Sequence, residues 1–104
     1  TIWGDGSSVR DYLYIDDMVA ACRLALDGPS GVYNIGAGVG TSLNDLMQQV
    51  TEITGRVLLV ERRPSRASDI RRIVLDVASA GAILGWQPSV PLSDGLGRTW
   101  AGLP

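Results

Sequence analysis

The residues best equipped for chemistry in this sequence are its arginines. All nine basic residues are Arg, and five of them (Arg62, Arg63, Arg66, Arg71 and Arg72) fall in one short stretch. A guanidinium is a planar, permanently charged fork that grips phosphate or carboxylate through two parallel hydrogen bonds. The chain as a whole carries a net charge of −2, which argues against a general nucleic-acid binder. A local basic stretch on an acidic chain reads in two ways. It holds a small anionic ligand, or it is a solvated surface ion-paired with Glu61 and Asp69. Other catalytic equipment is sparse. There is no His, and Cys22 is the lone cysteine, so neither a disulfide nor a zinc site can be assembled. Cys22 falls on the apolar side of a predicted helix, where a buried thiol acting as a small hydrophobe is expected.

A second candidate is the glycine-rich segment Gly36-x-Gly38-x-Gly40, set between a predicted strand and a predicted helix, with the acidic Glu61 at the end of the next strand. A dinucleotide fingerprint needs its third glycine three places after the second, and Thr41 stands there. These glycines are therefore expected to turn the chain sharply into the helix. The helix N-terminus at Ser42–Leu43 is expected to leave N–H groups that favour a nearby ligand.

These groups must be held by a folded domain, and the 104 residues suffice for one. Gly4-Asp5-Gly6-Ser7-Ser8 is a turn signal between two short strands, Thr1–Trp3 and Val9–Ile15. Asp16 and Asp17 open a helix whose predicted buried stripe is Met18, Ala21, Cys22, Ala25 and Leu26. Val32–Ile35 reads as a strand. Ser42 caps a second helix with Asp45 three residues on, Leu43, Leu46, Met47, Val50 and Ile53 form its apolar face, and Gly55 ends it. Val57–Val60 reads as a strand buried on both faces, and Ile70–Leu75 as another short strand. Asp76 caps a weak helix through Leu84, weak because Gly81 interrupts it. A last helix over Leu92–Leu103 presents Leu92, Leu96, Trp100 and Leu103. Short strands alternating with about four helices define an α/β (α+β) domain. No apolar run approaches the ~20 residues of a membrane span, and Thr1–Asp5 has no secretion-signal character, so a cytoplasmic setting is expected.

Four segments in register carry a resemblance. They are Gly4-Asp5-Gly6 with Val9-Arg10-Asp11-Tyr12-Leu13-Tyr14-Ile15-Asp16-Asp17; Tyr33-Asn34-Ile35-Gly36-Ala37-Gly38 with Thr41-Ser42-Leu43; Arg66-Ala67-Ser68-Asp69 with Arg71-Arg72 and Asp76; and Leu84-Gly85-Trp86-Gln87-Pro88. Their order and spacing resemble the C-terminal portion of the extended short-chain dehydrogenases that act on nucleotide sugars, the UDP-glucose 4-epimerase-like NAD-dependent epimerases and dehydratases. Residues 1–104 are then a nucleotide-sugar-binding domain of a longer parent. The resemblance implies that Arg10 and Arg66 hold the diphosphate, that Asp69 accepts the ribose hydroxyls, and that Leu43 packs against the base. It also brings Tyr12 near the ligand. Ser68 departs from the family's glycine before the Asp69 position, and Ser79 from its usual basic residue.

The family's NAD(P) fingerprint and its Tyr-x-x-x-Lys pair are missing from this sequence, which has no Lys at all. No catalytic, cofactor-binding or metal-ligating residue is therefore assigned. NAD(P) and the sugar chemistry belong to an N-terminal Rossmann domain of the parent, and the isolated chain is expected to be inactive. The partners implied are a nucleotide-diphosphate sugar and that Rossmann domain, with no nucleic acid and no membrane. The alternative is a non-catalytic binding or assembly module that oligomerises through the apolar surface a Rossmann domain would otherwise cover. A third reading, a nucleotide site on Gly36–Gly40, is unrelated to sugars.

Overall fold

A computed structural model describes residues 1–104. Four short strands and three α-helices follow in the order β1 (Ile2–Trp3), β2 (Val9–Asp11), α1 (Ile15–Asp27), β3 (Gly40–Ser42), α2 (Leu43–Thr54), β4 (Arg62–Arg63) and α3 (Leu92–Ala101). A π-helical turn, Ala80–Leu84, precedes α3 and makes the fourth helical element. The mixed α/β class and the number of helices agree with the sequence reading. The strands form two separate pairs. β1 runs parallel to β4, with Ile2 opposite Arg62, and β2 runs antiparallel to β3, with Arg10 opposite Thr41. The first two strands thus do not pair with each other across their turn.

The molecule is a slab of 45 × 36 × 18 Å with a small core. Ala21 of α1, Ala80 of the π-helical turn and Trp86 are buried together, with Leu13, Tyr33, Ile35, Val77 and Leu84 packed around them. Asp17 anchors this core. Its carboxylate, in a residue only 3% exposed, accepts hydrogen bonds from the Ser89 N–H (3.0 Å), the Ser89 hydroxyl (2.8 Å) and the Val90 N–H (3.0 Å). Its carbonyl accepts from the Trp86 indole at 2.9 Å. Sequence reasoning gave Asp16 and Asp17 to the helix start alone. Tyr14 occupies the N-cap without a side-chain bond, and Asp17 instead ties α1 to a segment more than 70 residues away.

The start of α2 follows local rules closely. The Ser42 hydroxyl accepts from the Asp45 N–H at 3.1 Å and donates to the Asp45 carboxylate at 2.7 Å, and Gly55 ends the helix at φ +65°. The predicted apolar face of α2 is half-buried and packs against α3. Arg56, just past the helix, lies over the Trp100 ring of α3 at 4.8 Å.

Several expectations fail for one shared reason. Val32–Ile35 and Val57–Val60 form no strand and make no backbone hydrogen bond, and Ile70–Leu75 contributes only a bridge between Arg72 and Val9. Cys22 is exposed rather than buried, and of the stripe predicted for α1 only Ala21 is buried. Apolar patterning marks surface fit for burial, but burial needs a neighbour, and this chain supplies none for these segments. The last helix stops at Ala101, leaving Leu103 exposed.

Candidate functional site

Gly4, Asp5, Ser7 and Ser8 build one wall of a polar cavity. Gly4 and Gly6 take φ of +86° and +81°, values that a side chain would strain. Between them Asp5 closes the turn: its carboxylate accepts from the Ser7 N–H (2.9 Å) and the Ser7 hydroxyl (2.6 Å). Those bonds hold the Asp5 carboxyl below its usual value. The turn is fixed from outside as well. Arg62 and Asn44 both donate to the Asp5 carbonyl, at 2.7 and 3.0 Å, so β4 and α2 grip the same peptide.

The cavity measures about 680 Å³ and is mainly polar, and Trp3, Asp5, Ser8, Arg66, Asp69 and Arg71 are among its lining residues. Arg66 bonds Asp69 through Nη2 at 2.9 Å and Nε at 3.1 Å, and its guanidinium lies 4.9 Å from the centre of the Trp3 ring. The Arg66 hydrogen bonds hold the Asp69 carboxyl low, opposed by partial burial and assisted by the charge of Arg10. Three of the five sequence-derived site residues therefore share one electrostatic neighbourhood. Arg10 sits in β2, half-buried, with Nη1 donating to the Val9 carbonyl at 2.9 Å. Leu43, half-buried at the start of α2, is not among the lining residues, and its N–H donates at 3.1 Å to the carbonyl of Ser8, which is. Tyr12 is placed elsewhere. It lines a second, more apolar depression of about 360 Å³ with Ala37, Val39, Thr41, Pro91 and Leu92. Ser68 lies in the turn that joins Arg66 to Asp69 without a positive φ, so the family's glycine is not required there. Trp3 and Ser8 were not singled out from the sequence. The signal for Trp3 was available, an aromatic residue directly before a Gly-Asp-Gly turn.

The glycine-rich loop has a different occupant. The Asp11 carboxylate accepts from the N–H groups of Ala37 (2.6 Å), Gly38 (2.9 Å) and Leu75 (3.2 Å). A Cβ at Gly36 would lie 2.7 Å from Asp11 Oδ2, so glycine is needed for this approach. The N–H groups at the start of α2, expected to be free, are also engaged: Leu43 donates to Ser8, Asn44 to the Gly6 carbonyl and Asp45 to Ser42. The Ala37 and Gly38 N–H groups and those opening α2 are thus satisfied within the chain. Removing the clasp in Asp11→Ala leaves three donors without their acceptor and is expected to cost about 2 kcal/mol, read as a lower urea midpoint.

The chain belongs to the NAD dependent epimerase/dehydratase family, whose model matches residues 1–36. It is similar to the UDP-glucose 4-epimerase of Mycolicibacterium smegmatis, 42% identical over 101 residues that cover 94% of this chain and 32% of that protein. Among solved structures it is similar to the UDP-glucose 4-epimerase of Thermotoga maritima with UDP-glucose, at 44% identity and a TM-score of 0.88, covering 94% of this chain and 32% of that one. The Thermus thermophilus UDP-glucose 4-epimerase complex with NAD is likewise similar, at 33% identity and a TM-score of 0.86, covering all of this chain and 34% of that one. The chain spans about a third of the length of the relatives it matches and corresponds to their C-terminal part. No helix is long and apolar enough to cross a membrane.

Proposed function

We propose that this chain binds the nucleotide-diphosphate end of a nucleotide sugar for an NAD(P)-dependent epimerase or dehydratase. The observation that carries this reading is the cavity in which Arg66, Asp69 and Arg71 meet the Gly4–Gly6 turn, with the Arg10 charge close enough to act on Asp69. A diphosphate bears at least two negative charges. The exposed Arg66–Asp69 pair that it must open is worth only ~0–1 kcal/mol, whereas charge-assisted hydrogen bonds to phosphate are worth ~1.5–3 kcal/mol each. Arg66 therefore turns from Asp69 to the phosphates, and Asp69, released, accepts the ribose hydroxyls. Trp3 and the backbone around Ser8 and Leu43 offer the apolar and polar surface for the base.

The sugar then projects away from these arginines toward groups outside this chain. NAD(P) supplies the hydride chemistry when bound there. This chain's contribution is to fix the remote diphosphate, so that binding energy gathered far from the sugar carbon orients it for oxidation. The test is a calorimetric titration of UDP, dTDP and GDP into the chain, with Arg66→Ala and Tyr12→Ala compared. Arg66-dependent, Tyr12-independent binding supports the cavity. Nucleotide binding that survives Arg66→Ala rejects it.

A further inference from the structure

The β1–β4 ladder pairs only two residues of each strand. In parallel register Ile2 lies opposite Arg62, and the Ile2 and Gly4 N–H groups donate to the Glu61 and Arg63 carbonyls at 2.7 and 2.8 Å. The odd-numbered residues of this strand therefore face β1. Directly before it, Val57–Val60 lies outside any element and makes no backbone hydrogen bond. Its side chains alternate as a strand's do: Val57 and Leu59 are 87% and 97% exposed, Leu58 and Val60 36% and 40%. An apolar, alternating edge with open N–H and C=O groups is a template for another strand.

The rest of the surface agrees. A compact protein of 11.0 kDa exposes about 5,600 Å², whereas this one exposes 7190 Å². The excess is about twice the ~800 Å² that one partner contributes to an ordinary stable protein interface.

We propose that Val57–Val60 accepts a parallel, apolar β-strand in line with β1, supplied by the polypeptide that makes up the other two-thirds of the relatives. Continuity with the existing ladder selects this occupant: an added strand lengthens β1 toward its N-terminal side, keeps the register and pairs Leu59 through both its N–H and its C=O. The geometry is that of strand addition, with main-chain bonds giving affinity and alternate side chains giving fit. The proposal is independent of the nucleotide cavity.

Hydrogen exchange tests it in two settings, the chain alone and a chimera in which it replaces the matching C-terminal third of the Mycolicibacterium smegmatis epimerase. The Leu59 and Glu61 amides should exchange fast in the chain and at least 100-fold more slowly in the chimera. Leu59→Pro removes the donor on the accepting edge, and Leu58→Pro the donor on the opposite edge. Leu59→Pro should leave the melting temperature of the chain within a degree or two, yet destabilise the chimera more than Leu58→Pro does. Unprotected Leu59 and Glu61 amides in the chimera, or equal effects of the two prolines there, overturn the proposal. So does concentration-dependent protection in the chain alone, which makes a second copy the occupant.

Discussion

Asp17→Ala is expected to cost about 3 kcal/mol and to lower the melting temperature by on the order of 15 °C. The carboxylate is nearly inaccessible and accepts bonds at 2.8, 3.0 and 3.0 Å. Its removal strands the Ser89 and Val90 donors beside a core of very few buried residues. A penalty of that size is a large share of what a domain this long commands. The loss carries a pH signature. Burial pushes the Asp17 carboxyl up, but the bonds from Val90 and Ser89, with the Arg98 charge, together outweigh it and leave it below its usual value. A group lowered in the folded state stabilises above its unfolded value, near 3.8, and that contribution fades as pH falls through the lower folded value. The gap in melting temperature between the parent chain and Asp17→Ala should therefore be full at pH 7 and shrink below about pH 4. A gap that stays constant into acid would show that Asp17 acts through packing and not through its charge.

Arg66→Ala should weaken UDP binding by roughly 10- to 100-fold, the loss of one bidentate, charge-assisted grip. Arg66→Lys should recover only part of it, because an ammonium keeps the charge but not the fork. Asp69→Asn separates the two roles assigned to that carboxylate. It frees Arg66 from its counter-ion, so inorganic pyrophosphate should bind more tightly, while UDP gains less because the ribose loses a charged acceptor. Calorimetry reads both ligands. If Asp69→Asn shifts UDP and pyrophosphate equally, Asp69 does not touch the ribose. Trp3, 4.9 Å from the Arg66 guanidinium, provides a fluorescence readout of the same movement.

What was legible in the sequence was what short-range chemistry decides. The Ser42–Asp45 cap, the Gly55 stop and the Gly4–Gly6 turn each depend on residues a few places apart, and each is found. Arg66 and Asp69 were legible only as members of one motif in the resemblance; sequence reasoning paired Asp69 with the arginine stretch as a whole, not with Arg66 in particular. Asp17 was not, since its partners lie on a segment near the other end of the chain and nothing local announces them. Asp11 was quoted within a motif, yet only the fold brings it under the glycine loop. The segments 32–35 and 57–60 show the opposite error. Their composition reads as strands, yet none forms there, because a strand exists only with a partner and hydrophobic pattern cannot say which polypeptide provides it.

The slab shape has a thermodynamic consequence. The slope of stability against denaturant and the heat-capacity increment both scale with the area newly exposed on unfolding. A sheet of protein 18 Å thick, with only 8 of 104 residues buried, has already exposed much of what unfolding would reveal. Its urea slope should fall below the ~1–3 kcal/mol/M of small compact domains, and its melting should be broad. Joined to the rest of a family member, the same residues should melt in a sharper transition, because the area they now hold open to water would become part of the cooperative unit.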